Sequence, residues 1–145
     1  DQVWLLPTFA HAFDKALSPF DERLALCRAL AETVGEGVRV SAVERELQPP
    51  TYTIDSLDRL AADHPEHRFT LVLGADNLPD LPRWKAPERL QRDYGLVVVG
   101  RSGYPCPPDT VVFPDISSTE VRARLADGRP VDHLVPARVA ELLER

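Results

Sequence analysis

The segment "FTLVLGAD", Phe69 to Asp76, is an apolar run that breaks abruptly into Gly74, Ala75 and Asp76. A run that does not alternate with polar residues is the pattern of a strand buried on both faces, and such strands belong to parallel sheets covered by helices. Working outward, "VWLLP" (Val3 to Pro7), "VRVSAV" (Val38 to Val43), "GLVVVGR" (Gly95 to Arg101) and "TVVFPD" (Thr110 to Asp115) read as further strands. The intervening segments read as helices. Ser18 as N-cap and Pro19 at the first helical position predict one that stops near Gly35, with Phe20, Leu24, Cys27 and Ala31 on one face. "TYTIDSLDRLAADHP" turns Ile54, Leu57, Leu60 and Ala61 inward, and "NLPDLPRWKAPERLQRDY" is helical but broken by Pro79, Pro82 and Pro87. Strand and helix alternate about every 25–30 residues, which predicts an α/β fold with a doubly wound parallel sheet in a single domain, residues 1–145. In such sheets ligands sit at the carboxyl ends of the strands. Those ends are Pro7–His11, Gly74–Asp76, Gly100–Arg101 and Asp115–Ser118, where polar residues and glycines gather.

Composition narrows the function classes. Apolar residues make up 43% and charged residues 28% of the 145, ordinary for a globular chain with a real core. No apolar run approaches the ~18 residues of a membrane span, and no signal peptide is visible. Formal net charge is −6, made up of −7 over residues 1–82 and +1 over residues 83–145. That balance argues against a nucleic-acid-binding face and against a membrane partner, while leaving room for a local anion site in the second half. Cys27 and Cys106 are isolated and fit a reducing, cytoplasmic setting. His11, His64, His67 and His133 show no zinc-ligand spacing, so no protein metal site is expected. A homo-oligomer is compatible with the sequence.

The stretch "PDISSTEVRARLADG" (Pro114 to Gly128) carries the chemistry. Ser117 and Glu120 are spaced as a capping box and Gly128 as a stop, yet Arg122 follows within two turns of the helix start. Cations are mildly disfavoured at that positive end of the helix dipole. A helix N-terminus with the hydroxyls of Ser117, Ser118 and Thr119 and the guanidinium of Arg122 is suited to phosphate. Spacing alone leaves a second reading open, and the commoner one: a plain capping box with a solvated arginine.

"ISSTEVR" resembles the ISSTxIR signature of nucleotidyltransferases of the HxGH superfamily. "PPTYTIDSL", "LVLGADNLPDLPRWKAPERL" and "VVVGRSGYP" resemble, in order and across nearly the whole chain, the PSYTxxTL, GxDxxxxLPxW and R-x-GYP segments of bacterial nicotinate-nucleotide adenylyltransferases. The resemblance implies a Rossmann-like nucleotidyltransferase fold. It also implies transfer of the adenylyl group of ATP to nicotinate mononucleotide, giving deamido-NAD and pyrophosphate, with Mg²⁺ arriving on ATP. By position it implies ATP contacts from Gly74, Asp76, Arg101, Ile116, Ser117, Ser118, Thr119 and Arg122. Tyr52, Thr53 and Trp84 would bind the nicotinate moiety, Trp84 by stacking. Each has a plainer alternative: Asp76 as a turn residue capping the next helix, Trp84 as a packing residue, Tyr52 and Thr53 as an ordinary helix start, and Arg101 as a surface loop residue.

Two departures from the family pattern stand out. Where the family has a PPHK-like turn this chain has "TFAHAFDK", so His11 and Lys15 are expected, at wider spacing, to supply phosphate contacts. The chain holds no Met and opens on Asp1, and the family's first strand with its GGSFDPxHxGH loop is not in it. The expectation is that upstream residues are missing and that these 145 residues alone are catalytically incomplete. Two rival readings are a phosphopantetheine adenylyltransferase-like enzyme, against which Trp84 and "TYTIDSL" weigh, and a non-catalytic nucleotide-binding fragment.

Overall fold

The computed structural model describes residues 1–10 and 17–144. In chain order the elements are β1 (Val3–Leu5), α1 (Phe20–Val34), β2 (Val38–Val40), α2 (Thr53–Asp63), β3 (Leu71–Gly74), α3 (Pro87–Arg89), β4 (Leu96–Val99), α4 (Ser118–Ala126) and α5 (Ala137–Leu143). Tight 3-10 segments cover Val43–Glu46 and Ala75–Arg83, and a π turn covers Leu90–Tyr94. The chain divides into two compact units, one of Asp1–Pro50 with Ile116–Arg145 and one of Thr51–Asp115. Each is built on one pair of parallel strands, so the class is α/β, as the alternating segments predict.

In the first unit β1 and β2 run parallel, Val3 opposite Val38 and Leu5 opposite Val40, with α1 as the crossover. α1 begins one residue later than predicted: Pro19 is the N-cap and no side chain caps the helix. It ends at Gly35, whose φ of +100° few other residues would adopt. β2 stops at Val40 rather than Val43, because Ser41 Oγ accepts the Val43 N–H at 3.3 Å and the chain tightens into the 3-10 turn. Val121 of α4, Val131 and Ala140 of α5 form the buried cluster, with Leu125, Leu134 and Leu143 packed around it. α4 closes on Gly128 (φ +66°): the Arg129 N–H donates to the Arg124 carbonyl at 2.8 Å and the Gly128 N–H to the Leu125 carbonyl at 3.1 Å. These two bonds satisfy carbonyls the helix would otherwise leave open.

In the second unit β3 and β4 run parallel from Leu71 opposite Leu96 to Gly74 opposite Val99. Ile54 and Leu57 of α2 and Leu90 of the π turn form the core, against which Tyr52, Phe69, Leu71, Trp84 and Tyr94 pack. The predicted burial of this strand pair on both faces is only half right. Side chains alternate along a strand, and Leu73 is buried while Val72 and its neighbour Val97 remain 55% and 50% exposed. The predicted strand "TVVFPD" reduces to a single bridge between Gly100 and Val112. Prolines crowd both sides of it, at Pro107, Pro108 and Pro114, and none offers an N–H for a ladder. The bridge is close enough to require a glycine: a Cβ on Gly100 would stand 2.8 Å from Val112 Cγ2.

Candidate active site

Three sequence-predicted residues meet at the carboxyl end of β3. Asp76 follows directly after the strand, and its Oδ2 lies 3.9 Å from Arg101 Nη1, which extends from the end of β4. Asp76 Oδ1 is buried and has no hydrogen-bond partner among the described residues. Gly74 caps the 3-10 segment without help from any side chain, so Asp76 is not the capping residue of the plainer reading. Gly74 has an ordinary φ of −67°, and its role is spatial: a Cβ there would collide with Asp76 Oδ1. The glycine therefore admits the carboxylate. A buried acceptor with no partner is costly, and one at a strand's carboxyl end has a free lone pair for a hydroxyl donor.

Tyr52, Thr53 and Trp84 gather around α2. Tyr52 is its N-cap, with a backbone carbonyl that accepts from Asp55 N and Ser56 N, and the N–H groups of the first two residues of a helix have no intrahelical acceptor. Trp84 ends the 3-10 segment, its N–H donating to the Leu81 carbonyl at 3.1 Å, and its ring is half-buried against Ile54, Leu57 and Leu90. Packing thus holds the indole, and a part of it stays open.

At α4 the capping box is half made. Ser117 Oγ accepts the Glu120 N–H at 3.1 Å, but the Glu120 carboxylate turns forward to Arg124, 3.1 Å from its Nε. Arg124 is thereby occupied. Arg122, Ser118 and Thr119 are exposed, and their side chains have no partners among the described residues. Ile116 is partly exposed just before the cap. The hydroxyls of Ser118 and Thr119 and the guanidinium of Arg122 are thus unengaged among the described residues, donors that an anion can use. His11 and Lys15 lie outside the described residues. His64 and His67 flank Glu66 at 3.6 and 3.5 Å, and His133 lies 3.6 Å from Asp132.

Sequence reading missed Glu44. It is 7% exposed, and its Oε2 accepts the Phe9 N–H at 2.9 Å, just beyond β1. On the same stretch Arg23 donates from Nη1 to the Thr8 carbonyl at 2.5 Å and from Nε to the Ser18 carbonyl at 3.0 Å. Phe9 packs edge-on against Phe20 at 5.2 Å. Only the apolar neighbours of Glu44, in "SAVERELQ", hint that the acid is inside.

The cytidylyltransferase-like family model matches residues 1–124. A protein of Anaeromyxobacter sp. (strain K) described as "Probable nicotinate-nucleotide adenylyltransferase" is 46% identical over 146 residues, covering 99% of this chain and 78% of the relative. The chain belongs to this family. A relative of the same description from Myxococcus xanthus (strain DK1622) is 39% identical over 140 residues, covering 95% of this chain and 73% of its own. Among solved structures, Plasmodium falciparum nicotinic acid mononucleotide adenylyltransferase complexed with NaAD aligns with a TM-score of 0.76, covering 98% of this chain and 79% of that one. At 17% identity that likeness speaks for the fold, which is the nucleotidyltransferase fold of the family.

Proposed function

We propose that this protein transfers the adenylyl group of ATP to nicotinate mononucleotide, releasing pyrophosphate and forming deamido-NAD. The observation that carries the reading is the start of α4, where among the described residues Arg122 and two hydroxyls are free while the neighbouring Arg124 is already paired. In the reaction an oxygen of the mononucleotide phosphate attacks the α-phosphorus of ATP in line, a P–O bond forms, and the bond to pyrophosphate breaks. The nucleophile is already an anion, so the protein's work is positioning and charge stabilisation. Ile116, Ser117, Ser118, Thr119 and Arg122 serve the ATP phosphates, with Ser118 and Arg122 nearest the reacting group. Asp76, given room by Gly74, accepts from a ribose hydroxyl, and Arg101 serves the ATP side. Trp84 stacks on the pyridine ring, and Tyr52 and Thr53 frame its carboxylate through the N–H groups of α2. His11 and Lys15 contribute phosphate contacts in the same reading.

In the same reading Mg²⁺ enters as part of the nucleotide. In this reading residues 1–145 form one nucleotidyltransferase domain, supported by a family match that runs through residues of both compact units. The protein then works in the cytoplasm, a setting in which the free cysteines Cys27 and Cys106 stay reduced. The test is to purify the protein expressed from its complete coding sequence, incubate it with ATP, Mg²⁺ and either nicotinate mononucleotide or phosphopantetheine, and measure pyrophosphate release and deamido-NAD. Turnover with phosphopantetheine instead, or nucleotide binding without pyrophosphate release, overturns the assignment.

A further inference from the structure

Trp84 and Lys85 lie in a stretch without regular structure. The 3-10 segment before it contains Pro79 and Pro82, which offer no N–H, and Ala86 after it takes a φ of +50°, a region non-glycine residues seldom occupy. Such a stretch has no ladder of backbone hydrogen bonds to fix it. Lys85 supplies a link of another kind. Its ammonium donates to both oxygens of Asp55, at 2.8 and 2.7 Å, and stands 5.0 Å from the centre of the Tyr52 ring. Asp55 belongs to the first turn of α2 and Tyr52 is the cap of that helix. One cation therefore joins the residue next to Trp84 to the helix start that bears Tyr52 and Thr53, across 30 positions of sequence.

We infer that Lys85 is a positioning residue for the pyridine-nucleotide subsite, tethering the Trp84 stretch to the first turn of α2 through Asp55 and the Tyr52 ring. This rests on the reading of Trp84, Tyr52 and Thr53 given above. Lys85 and Asp55 are 49% and 35% exposed at the side chain. Exposed ion pairs add little to global stability, so the pair's effect falls on the arrangement of the groups it joins. Without the tether, the arrangement that accepts the pyridine ring is populated only part of the time, and apparent affinity falls by that fraction. ATP, read by other residues, is spared.

The test compares Lys85→Met, Lys85→Arg, Asp55→Asn and the double variant Lys85→Met/Asp55→Asn in steady-state assays and thermal melts. Lys85→Met is expected to raise KM for nicotinate mononucleotide about 5- to 10-fold, with KM for ATP within about twofold and a melting temperature within about 2 °C of the parent. Lys85→Arg recovers part of the loss, since it keeps the cation over the ring. The double variant is no worse than the more affected single one, as coupled partners require. An unchanged KM, an equal rise in both KM values, or additive losses overturns the inference. Iodide quenching of Trp84 in a Trp4→Phe background reads the tether independently of activity. Lys85→Met should make the indole more accessible, and unchanged quenching counts against the tether even if the parent protein makes no deamido-NAD. Absence of parent turnover together with increased quenching counts against the assigned reaction alone.

Discussion

Arg122 and Arg124 sit two positions apart on α4 and have opposite circumstances, one without a partner among the described residues and one bonded to Glu120. If Arg122 holds a phosphate whose charge rises in the transition state, Arg122→Ala should cost about 2–4 kcal/mol in kcat/KM, roughly 30- to 1000-fold. Arg122→Lys should recover part of it, since a point charge does not reproduce the planar fork. Arg124→Ala loses an (i, i+4) ion pair worth about 0.3–0.5 kcal/mol of stability and should leave catalysis near the parent's. Steady-state kinetics and melts on all three variants decide it; equal losses at both arginines would return α4 to a plain surface helix. Trp84→Ala should raise KM for the mononucleotide several-fold and leave KM for ATP near its parent value, and the reverse pattern would remove Trp84 from the pyridine subsite. Capping is local chemistry, so the Ser117 bond to the Glu120 N–H was legible in the spacing of four residues. The partner of the Glu120 carboxylate was not, because the same acid is also one helical turn from Arg124, and the ion pair prevailed. Lys85 and Glu44 left no such trace, since their partners lie 30 and 35 positions away.

At the scale of elements, pairs of segments are joined by single polar contacts whose loss can be measured. Tyr94, at the end of the π turn, donates its hydroxyl to Asp58 of α2 at 2.6 Å, and Arg89 reaches the same oxygen at 2.6 Å. Burial, together with the bond to the Asp58 carboxylate, pushes the Tyr94 hydroxyl up to about 12. An ordinary tyrosine ionises near 10. Between those values the folded protein holds a proton that the unfolded chain has lost, so stability is full below pH ~10 and falls as pH rises toward ~12. Urea denaturation across that interval should show the decline, and Tyr94→Phe should remove its share; an unchanged slope would mean that Tyr94 does not carry it. Glu44 joins its 3-10 turn to the backbone after β1. Glu44→Ala leaves the Phe9 N–H without this acceptor and should cost about 1–3 kcal/mol, and Glu44→Gln, which keeps an oxygen there, should cost less. Strand and helix order was readable because periodicity reports burial. Where the chain is proline-rich, as in "YPCPPDTVVFPD", hydrophobicity without N–H donors misled, and a predicted strand became one bridge.

For the whole molecule, charge and substrate oppose each other. The chain carries −6 and the proposed nucleotides are anions, so attraction must come from a few local donors rather than from the overall field. Binding should then register as stabilisation that depends on individual residues. At about 100 times its Kd a ligand specific for the folded state adds about 2.7 kcal/mol, which a melting curve resolves easily. Arg122→Ala and Asp76→Ala should each reduce the shift produced by a fixed ATP concentration, while Arg138→Ala, an exposed arginine paired with Glu141 on α5, should not. Adenosine in place of ATP separates the two roles. It keeps the ribose and lacks the phosphates, so its smaller shift should still be lost in Asp76→Ala and should be untouched in Arg122→Ala. A shift with adenosine that depends on Arg122, or one with ATP that ignores Asp76, would mean that the phosphate and ribose assignments are wrong even if the protein makes deamido-NAD.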